Sequence, residues 1–560
     1  MKRKSFLLLL MSSLLLSGCS FLDGIKKTFN NLINKKEDKP SIDQDSNNNE
    51  EEIEDEEEDV DYEIPTDKVG EFYGGLVNDN VHVGYEFTAS LDPISKPKSG
   101  TGEFKIYSFN DFHGAVLETE DEPGLKAFAS YYKEKSKEDN TLIFDQGDTW
   151  QGTLESNYSY GGIVQDVFNY AGVSLRTVGN HDFDWGLNHL EDTINRKLDD
   201  GDYIPCLAAN VYDYENGVTG TTQQSQYGKE YATFKLENGI KVGVVGVIGT
   251  LMSSICSNRI ETVNFTEPVE KVKEMSDYLR KTKKCDIIVA STHNGVSYFG
   301  GELSAVSPVT NKKYADLVLG GHEHSRYSYV DNGVVFSQSD SHGRSSAVTT
   351  LTYDFKNKCV VDTPTLEVVD RSDYSSYATN IDPTINKMIN DYLEIVNPIG
   401  DEVLSRNFNG YYSTNVLARL MQEAIFKKVH ASGIDVDYSY TNSARDSFNG
   451  TIFTYRDLYR CFPFDNEIVL LEVSPEFSHG YRPSEFGEID PSKERHILAV
   501  IDYMALHQNY YREYDYYPDS EVYSRTIYKD NNGEMITYRE ILKEFILSNP
   551  DRDFSSSNIH

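Results

Sequence analysis

From residue 101 to residue 365, short apolar runs alternate with longer stretches whose apolar positions recur every third or fourth residue. The first pattern reads as buried strands and the second as one-faced helices, so the region predicts an α/β domain. Lys105-Ile106-Tyr107-Ser108-Phe109, Leu142-Ile143-Phe144, Ser174 to Val178, Asp286 to Ala290 and Asp316 to Leu319 are five of the predicted strands. Farther on, Asp382-Pro383 pairs an N-cap acid with proline at the first helical position. Ile385, Met388, Ile389, Tyr392, Leu393 and Val396 then keep a helical period that Pro398 is expected to end. Val416, Leu417, Leu420, Met421, Ala424 and Ile425 predict a second amphipathic helix, stopped near Gly433. The expected layout is a leader over 1–19, a lead-in over 20–100, a first domain over 101–365, a helical connector over 366–400 and a second domain over 401–560.

Composition adds two things to this picture. With 560 residues, 38% of them hydrophobic and 12% aromatic, the chain has ample material for two or more cores. Its net charge of −37 is uneven: residues 37–63 hold 15 acidic side chains against Lys39 alone, a run without apolar period that reads as a solvated, disordered tether. An acidic chain without a basic patch argues against nucleic-acid backbone binding as its main task. At the amino terminus, Lys2-Arg3-Lys4 precede a short apolar run that closes on Leu16-Ser17-Gly18-Cys19. That is a secretory leader, and its end resembles a bacterial lipobox. Cys19 is then the expected mature terminus, lipid-anchored on the outer face of a bacterial cell membrane, with the lipid as its only membrane contact. No later run holds enough uninterrupted apolar residues to span a bilayer. Cys206, Cys256, Cys285, Cys359 and Cys461 are widely spaced and read as free, mostly buried thiols.

The chemistry lies in the loops just beyond the strands. Asn110-Asp111-Phe112-His113-Gly114, Asp145-Gln146-Gly147-Asp148, Gly179-Asn180-His181-Asp182-Phe183-Asp184, Ser291-Thr292-His293-Asn294-Gly295 and Gly320-Gly321-His322-Glu323-His324 are glycine-bearing and carry Asp, Asn or His. Ligands of open α/β sheets gather at the carboxyl ends of strands, so five such ends can converge. His181 and Asp184 are spaced so that the carboxylate can orient the imidazole. His322 and His324, two apart, point the same way if their segment is extended. Carboxylates, imidazoles and one amide oxygen without a thiolate suit divalent Zn, Mn, Co or Fe. The inventory is large enough for two cations about 3.5–4 Å apart with a shared carboxylate, the arrangement that acidifies a water and clamps a phosphoryl group. No Gly-x-x-x-x-Gly-Lys loop is present, so a nucleotide is better read as substrate than as energy source.

In order along the chain, these loops resemble the motifs of the calcineurin-like metallophosphoesterases, and most of all their 5′-nucleotidase branch. The resemblance implies a four-layer αββα sandwich followed by a second, smaller α/β domain. It implies Asp111, His113, Asp148 and His324 on one metal, and Asp148 (bridging), Asn180, His293 and His322 on the other. His181, oriented by Asp184, becomes the catalytic histidine that is not a ligand. Thr441-Asn442-Ser443-Ala444-Arg445-Asp446 and Phe462-Pro463-Phe464-Asp465-Asn466 resemble the family's carboxyl-terminal domain, with a shorter turn before the arginine. On that likeness Arg445 meets an anion and Phe464 stacks on a base, with Asn180, Arg406 and Tyr511 completing the substrate contacts.

The expected protein is an exported, metal-dependent hydrolase of nucleoside 5′-monophosphates, with two divalent cations, a small nucleotide substrate and no implied protein partner. The same framework in relatives suits 2′,3′-cyclic nucleotides, 3′-nucleotides, nucleoside diphosphates or nucleotide sugars, and a surface-binding lipoprotein on a retired phosphatase fold is the non-enzyme alternative. Outside the motifs, His342 reads as a solvated turn residue, His189 as a surface residue, and Phe183 and Trp185 as packing.

Overall fold

Two sheets packed face to face carry the first domain, and their central strands are buried on both sides. A computed structural model of the chain describes residues 82–559 apart from 91–93, 199–202, 215–221, 225–226, 252–253, 261–262, 475–485, 488–491, 507–521 and 531. The leader, Cys19, the acidic tether and Tyr511 lie outside the described residues. One sheet is six-stranded, in the order Cys359–Asp370, Ser345–Asp354, Thr101–Phe109, Thr141–Asp145, Leu175–Thr177 and Cys206–Leu207. From Thr101–Phe109 onward its strands are parallel. The other is seven-stranded, and its centre, Lys241–Ile248, Ile287–His293, Leu317–Gly320 and Val334–Gln338, is parallel as well.

Strand periodicity explains the layering. Phe104 and Ile106 face the space between the sheets, where they meet Val242, Val244, Ile287 and Val289. Tyr107 and Phe109, one step out of phase, face the helices Gly124–Lys135 and Gly162–Ala171. On the opposite sheet Ile288 and Ala290 pack outward against Val272, Met275 and Leu279 of the helix Pro268–Lys281. Strands covered on both faces need apolar residues at every position, which is why these runs are continuous rather than alternating. The result is helix, sheet, sheet, helix.

The helix Pro383–Gly400 joins this sandwich to the rest of the chain. The Asp382 carboxylate caps it, accepting from the Thr384 and Ile385 amides at 2.9 and 3.2 Å. The helix runs through Pro398 instead of ending there. Proline this close to a carboxyl end removes one backbone donor only, and the Asp401 amide resumes the ladder to the Asn397 carbonyl at 2.8 Å. Its buried stripe of Ile385, Met388, Ile389, Tyr392 and Val396 faces Gly162–Ala171 and Gly124–Lys135, and its end meets the helix Tyr455–Cys461.

Beyond it lies a second α/β unit. Its five-stranded sheet has the order Phe486–Gly487, Tyr438–Tyr440, His496–Ile501, Ile468–Val473 and Val522–Ile527, and the helices Thr414–Ala431 and Tyr538–Leu547 pack together beside it. The first of these helices stops just before Gly433, whose φ is 83°. One continuous apolar cluster runs from Phe112 and Trp150 in the sandwich to Leu542 and Phe554 in this unit, so the two are packed together.

Candidate active site

The parallel strands of both sheets end on the same side, and the loops that leave them meet there. Asp111 and His113 follow Thr101–Phe109, Asp148 follows Thr141–Asp145, and Asn180 and His181 follow Leu175–Thr177. From the other sheet, His293 is the last residue of its strand, and His322 and His324 follow Leu317–Gly320. The turns are tight. A Cβ on Gly179 would lie 2.2 Å from Asp148 Oδ1, so only glycine lets the two loops approach this closely. Asp111, His113, Asp148, His322 and His324 all have positive φ, between 48 and 75°. Non-glycine residues held there store strain, and they gather where surrounding structure forces them for function. This corrects the expectation that His322 and His324 lie in an extended segment and point the same way. Left-handed backbone at both positions sends them to different groups.

Those groups are Asp111 with His113 and His324, and Asp148 with His293 and His322, each with its donor atoms within 4.8 Å of one another. His113 Nε2 lies 3.0 Å from His324 Nε2, and His293 Nε2 lies 3.1 Å from Asp148 Oδ2. Asn180 Oδ1 joins the second group, 3.2 Å from His293 Nε2 and 3.0 Å from His322 Nδ1. Asp148 also reaches the first, with Oδ2 3.9 Å from His113 Nε2. The ring orientations have a local cause. His113 Nδ1 donates to the Gln151 carbonyl at 2.8 Å and His293 Nδ1 to the Gln146 carbonyl at 2.7 Å. A carbonyl can only accept, so each Nδ1 carries a hydrogen and Nε2 is the nitrogen turned inward, where a cation can take its lone pair.

The carboxylates divide their oxygens in the same way. Asp111 Oδ2 accepts from the His322 amide at 2.7 Å and Asp148 Oδ1 from the His181 amide at 2.7 Å. The other oxygens, Asp111 Oδ1 and Asp148 Oδ2, are buried without a hydrogen-bond partner. Burial would raise the Asp148 carboxyl, but His293, His181 and His113 outweigh it and hold it well below the usual carboxylate range. His293 answers in kind: burial lowers it, yet Asp148 and Asp111 push it up to about 10. A proton gripped this tightly between carboxylates occupies the place of a cation, and a metal that displaces it takes the same donors. Orphaned carboxylate oxygens, inward imidazole lone pairs and an amide oxygen fit two divalent cations.

Beside the second group, His181 Nδ1 and Asp184 Oδ2 are 2.8 Å apart. The pair opens on a cavity of about 220 Å³ whose wall mixes Asn180, His181, Asp184, Arg259 and His322 from the sandwich with Asn442, Arg445, Phe464 and Tyr503 from the second unit. The Phe464 ring stacks on His181 at 5.4 Å and 24°, and the Arg445 guanidinium sits 5.6 Å above the Phe464 ring.

Residues 104–326 match the calcineurin-like phosphoesterase family. This region is a calcineurin-like phosphoesterase domain. Along more of the chain, Protein UshA of Yersinia enterocolitica is 25% identical over 434 residues, covering 68% of this chain and 76% of the relative. A 5′-nucleotidase of Vibrio cholerae is 24% identical over 431 residues, covering 67% and 74%. Among solved structures, the 5′-nucleotidase precursor from Thermus thermophilus superposes with a TM-score of 0.59 at 16% identity, over 80% of this chain and 96% of that one, which establishes a shared fold. The phosphoesterase domain takes two divalent cations, and the two groups above are its candidate sites.

Several residues around the phosphoesterase site differ from expectation or were not foreseen. Asp182, unremarked within its motif, accepts backbone amides from Gly179, Asp148 and Thr149 at 2.8, 3.3 and 3.2 Å, tying the two ligand loops together. Burial, and then Asp148, push its carboxyl up to about 7. His342 is not a solvated turn residue. It is half-buried beside the first group, its ring 5.4 Å from that of His113 and 5.9 Å from that of His324. The signal missed was Ser341-His342-Gly343 directly after a strand, the same strand-then-glycine-turn pattern as the five loops. His189 stacks on Tyr160 at 3.8 Å, and Phe183 is fully buried as packing. Arg406 is exposed and is not among the residues lining the cavity. Arg259, on no motif, lines the cavity, donates to the Asp465 carbonyl at 3.2 Å and lies 3.6 Å from Asp502.

Proposed function

We propose that this chain hydrolyses nucleoside 5′-monophosphates to nucleoside and phosphate. The observation that carries the reading is the cavity walled by His181 and Asp184 on one side and by Phe464 and Arg445 on the other. It sets an aromatic face and a guanidinium directly against the phosphoesterase centre, and the name of the 5′-nucleotidase relative supports the same substrate class. Asp111, His113 and His324 would hold one cation and Asn180, His293 and His322 the other, with Asp148 between them. When bound, the pair supplies a nucleophilic hydroxide and Lewis-acid stabilisation of the phosphoryl oxygens. The chain's own residues do the rest. Phe464 offers a stacking face to the base, and Arg445 a fork to an anionic oxygen. Burial lowers the His181 imidazole, but Asp184 and Asp148 more than restore it, so it ends above its ordinary value. With Nδ1 held by Asp184, His181 keeps its other proton on Nε2 for the departing ribose oxygen.

Phosphate release from a panel of 5′-, 3′- and 2′,3′-cyclic nucleotides and nucleotide sugars tests this. Nucleoside monophosphates should lead the panel, a chelator should abolish turnover, and divalent metal should restore it. A cyclic nucleotide or nucleotide sugar in first place would replace the substrate and keep the chemistry; no release and no bound metal would leave a binding protein. We propose further that the protein is exported and lipid-anchored through Cys19, so radiolabelled palmitate should enter the wild type and not Cys19→Ser.

A further inference from the structure

Beside His322, whose Nδ1 faces Asn180 Oδ1, four histidines around the phosphoesterase centre have Nδ1 held by a neighbour, and the partner differs in one of the four. His113 and His293 face backbone carbonyls, and His181 faces the Asp184 carboxylate. All three partners only accept, so Nδ1 carries the hydrogen. His342 Nδ1 instead lies 2.8 Å from the Ser341 hydroxyl. That hydroxyl already accepts from Arg344 Nη2 at 2.6 Å, and Arg344 Nε braces the same turn by donating to the Ser341 carbonyl at 3.2 Å. With Arg344 on one lone pair, the Ser341 hydroxyl can donate its own proton to His342 Nδ1, the arrangement in which the imidazole hydrogen sits on Nε2. A nitrogen bearing hydrogen cannot ligate a metal, and it can donate to an anionic oxygen.

The backbone holds this ring close. His342 has φ 58°, the left-handed strain shared by Asp111, His113, Asp148, His322 and His324, and its amide donates to the Asp111 carbonyl at 2.7 Å. Its ring borders those of His113 and His324 but stands outside their tight donor group. A donor that flanks a cation group without entering it is placed for what the cation binds.

We propose that His342 is a phosphate-positioning residue: the relay Arg344 to Ser341 to His342 directs an Nε2–H donor at a phosphoryl oxygen held over the Asp111, His113 and His324 group. It rests on the phosphoesterase centre and not on any nucleotide preference, so it is tested with inorganic phosphate. Three variants separate its parts: His342→Phe removes the donor, His342→Gln keeps an N–H at similar reach, and Ser341→Ala frees the tautomer. Metal content is read by mass spectrometry, phosphate affinity by calorimetry on the metal-loaded protein, and phosphate inhibition with p-nitrophenyl phosphate as substrate. The expected result is two cations per chain in every variant, phosphate binding about tenfold weaker in His342→Phe, or roughly 1.4 kcal/mol, with most of it restored in His342→Gln and an intermediate loss in Ser341→Ala. Phosphate affinity unchanged in His342→Phe with full metal content overturns the proposal, and so does loss of one cation, which would make His342 a ligand. Should His342→Phe fail to fold, equal phosphate affinity in Ser341→Ala and wild type overturns it as well. A wild type that binds phosphate but ignores every nucleotide would refute the nucleotidase reading and leave this one standing.

Discussion

At the scale of single residues, this site is a set of divided loyalties. Asp111 and Asp148 each spend one oxygen on a backbone amide and turn the other toward the imidazoles, and His113 and His293 spend Nδ1 on a carbonyl. Asp148 stands nearest both groups, so Asp148→Asn should lower bound metal and cut turnover by about 100-fold or more, read by metal analysis beside kcat. His181→Ala should leave metal content intact and slow turnover by roughly 10²–10⁴. Stripped metals in that variant would contradict the role given to His181. Asp502 adds a pH dependence of its own. Burial pushes the Asp502 carboxyl up to about 6, and Arg259 with two backbone amides only partly offsets it. The folded state therefore holds this proton more tightly than the unfolded one. Its contribution is complete below the unfolded value near 4 and disappears as pH rises through about 6. Asp502→Asn should accordingly stabilise the protein at pH 8, by roughly 2–3 kcal/mol, with the gain vanishing at pH 4. Thermal unfolding of both proteins at the two pH values decides it, and a less stable variant at pH 8 would refute it.

Elements turn these residues into a site by where they stop. The strands were legible in sequence because burial on both faces demands unbroken apolar runs, and each run gave way to a glycine-bearing loop that carries Asp, Asn or His. What the pattern could not express was backbone handedness: His322 and His324 look like alternating residues of an extended segment, and only their positive φ parts them. The helix Pro383–Gly400 was equally readable at its start and misread at its end, since a proline in the last turn forfeits one bond rather than a helix. That helix packs against both units, and its buried Ile389 is the sharper probe. Ile389→Ala should cost about 2–5 kcal/mol in urea unfolding, whereas Asp382→Ala, removing only the cap, should cost about 1. Equal losses would mean the helix is not held by its apolar stripe.

At the scale of the whole molecule, the decisive contacts cross from one unit to the other. Gln151 and Asn157 both donate to the Pro463 carbonyl, at 3.2 and 3.1 Å, which sets Phe464 against His181. Arg456 pairs with Glu155 and reaches Asn397 and Asp401 at 3.1 Å each, pinning the second unit to the connector. Glu155 is buried, so Arg456→Ala strands its charge and should destabilise the protein by about 3–5 kcal/mol. A change below roughly 1 kcal/mol would show that the pair is not what holds the units together.

The amino-acid order alone settled the kind of fold and the inventory of donors, because both are local: apolar period declares strand or helix, and Asp, Asn and His after a glycine turn declare chemistry. The three-dimensional chain decided what is relational. Which histidine joins which carboxylate depends on handedness at single residues, and a carbonyl lying opposite His113 and His293 puts a hydrogen on their Nδ1. Arg259 meets the second unit's Asp465 only because the chain folds back across some two hundred positions, a proximity for which no period in the chain provides a sign.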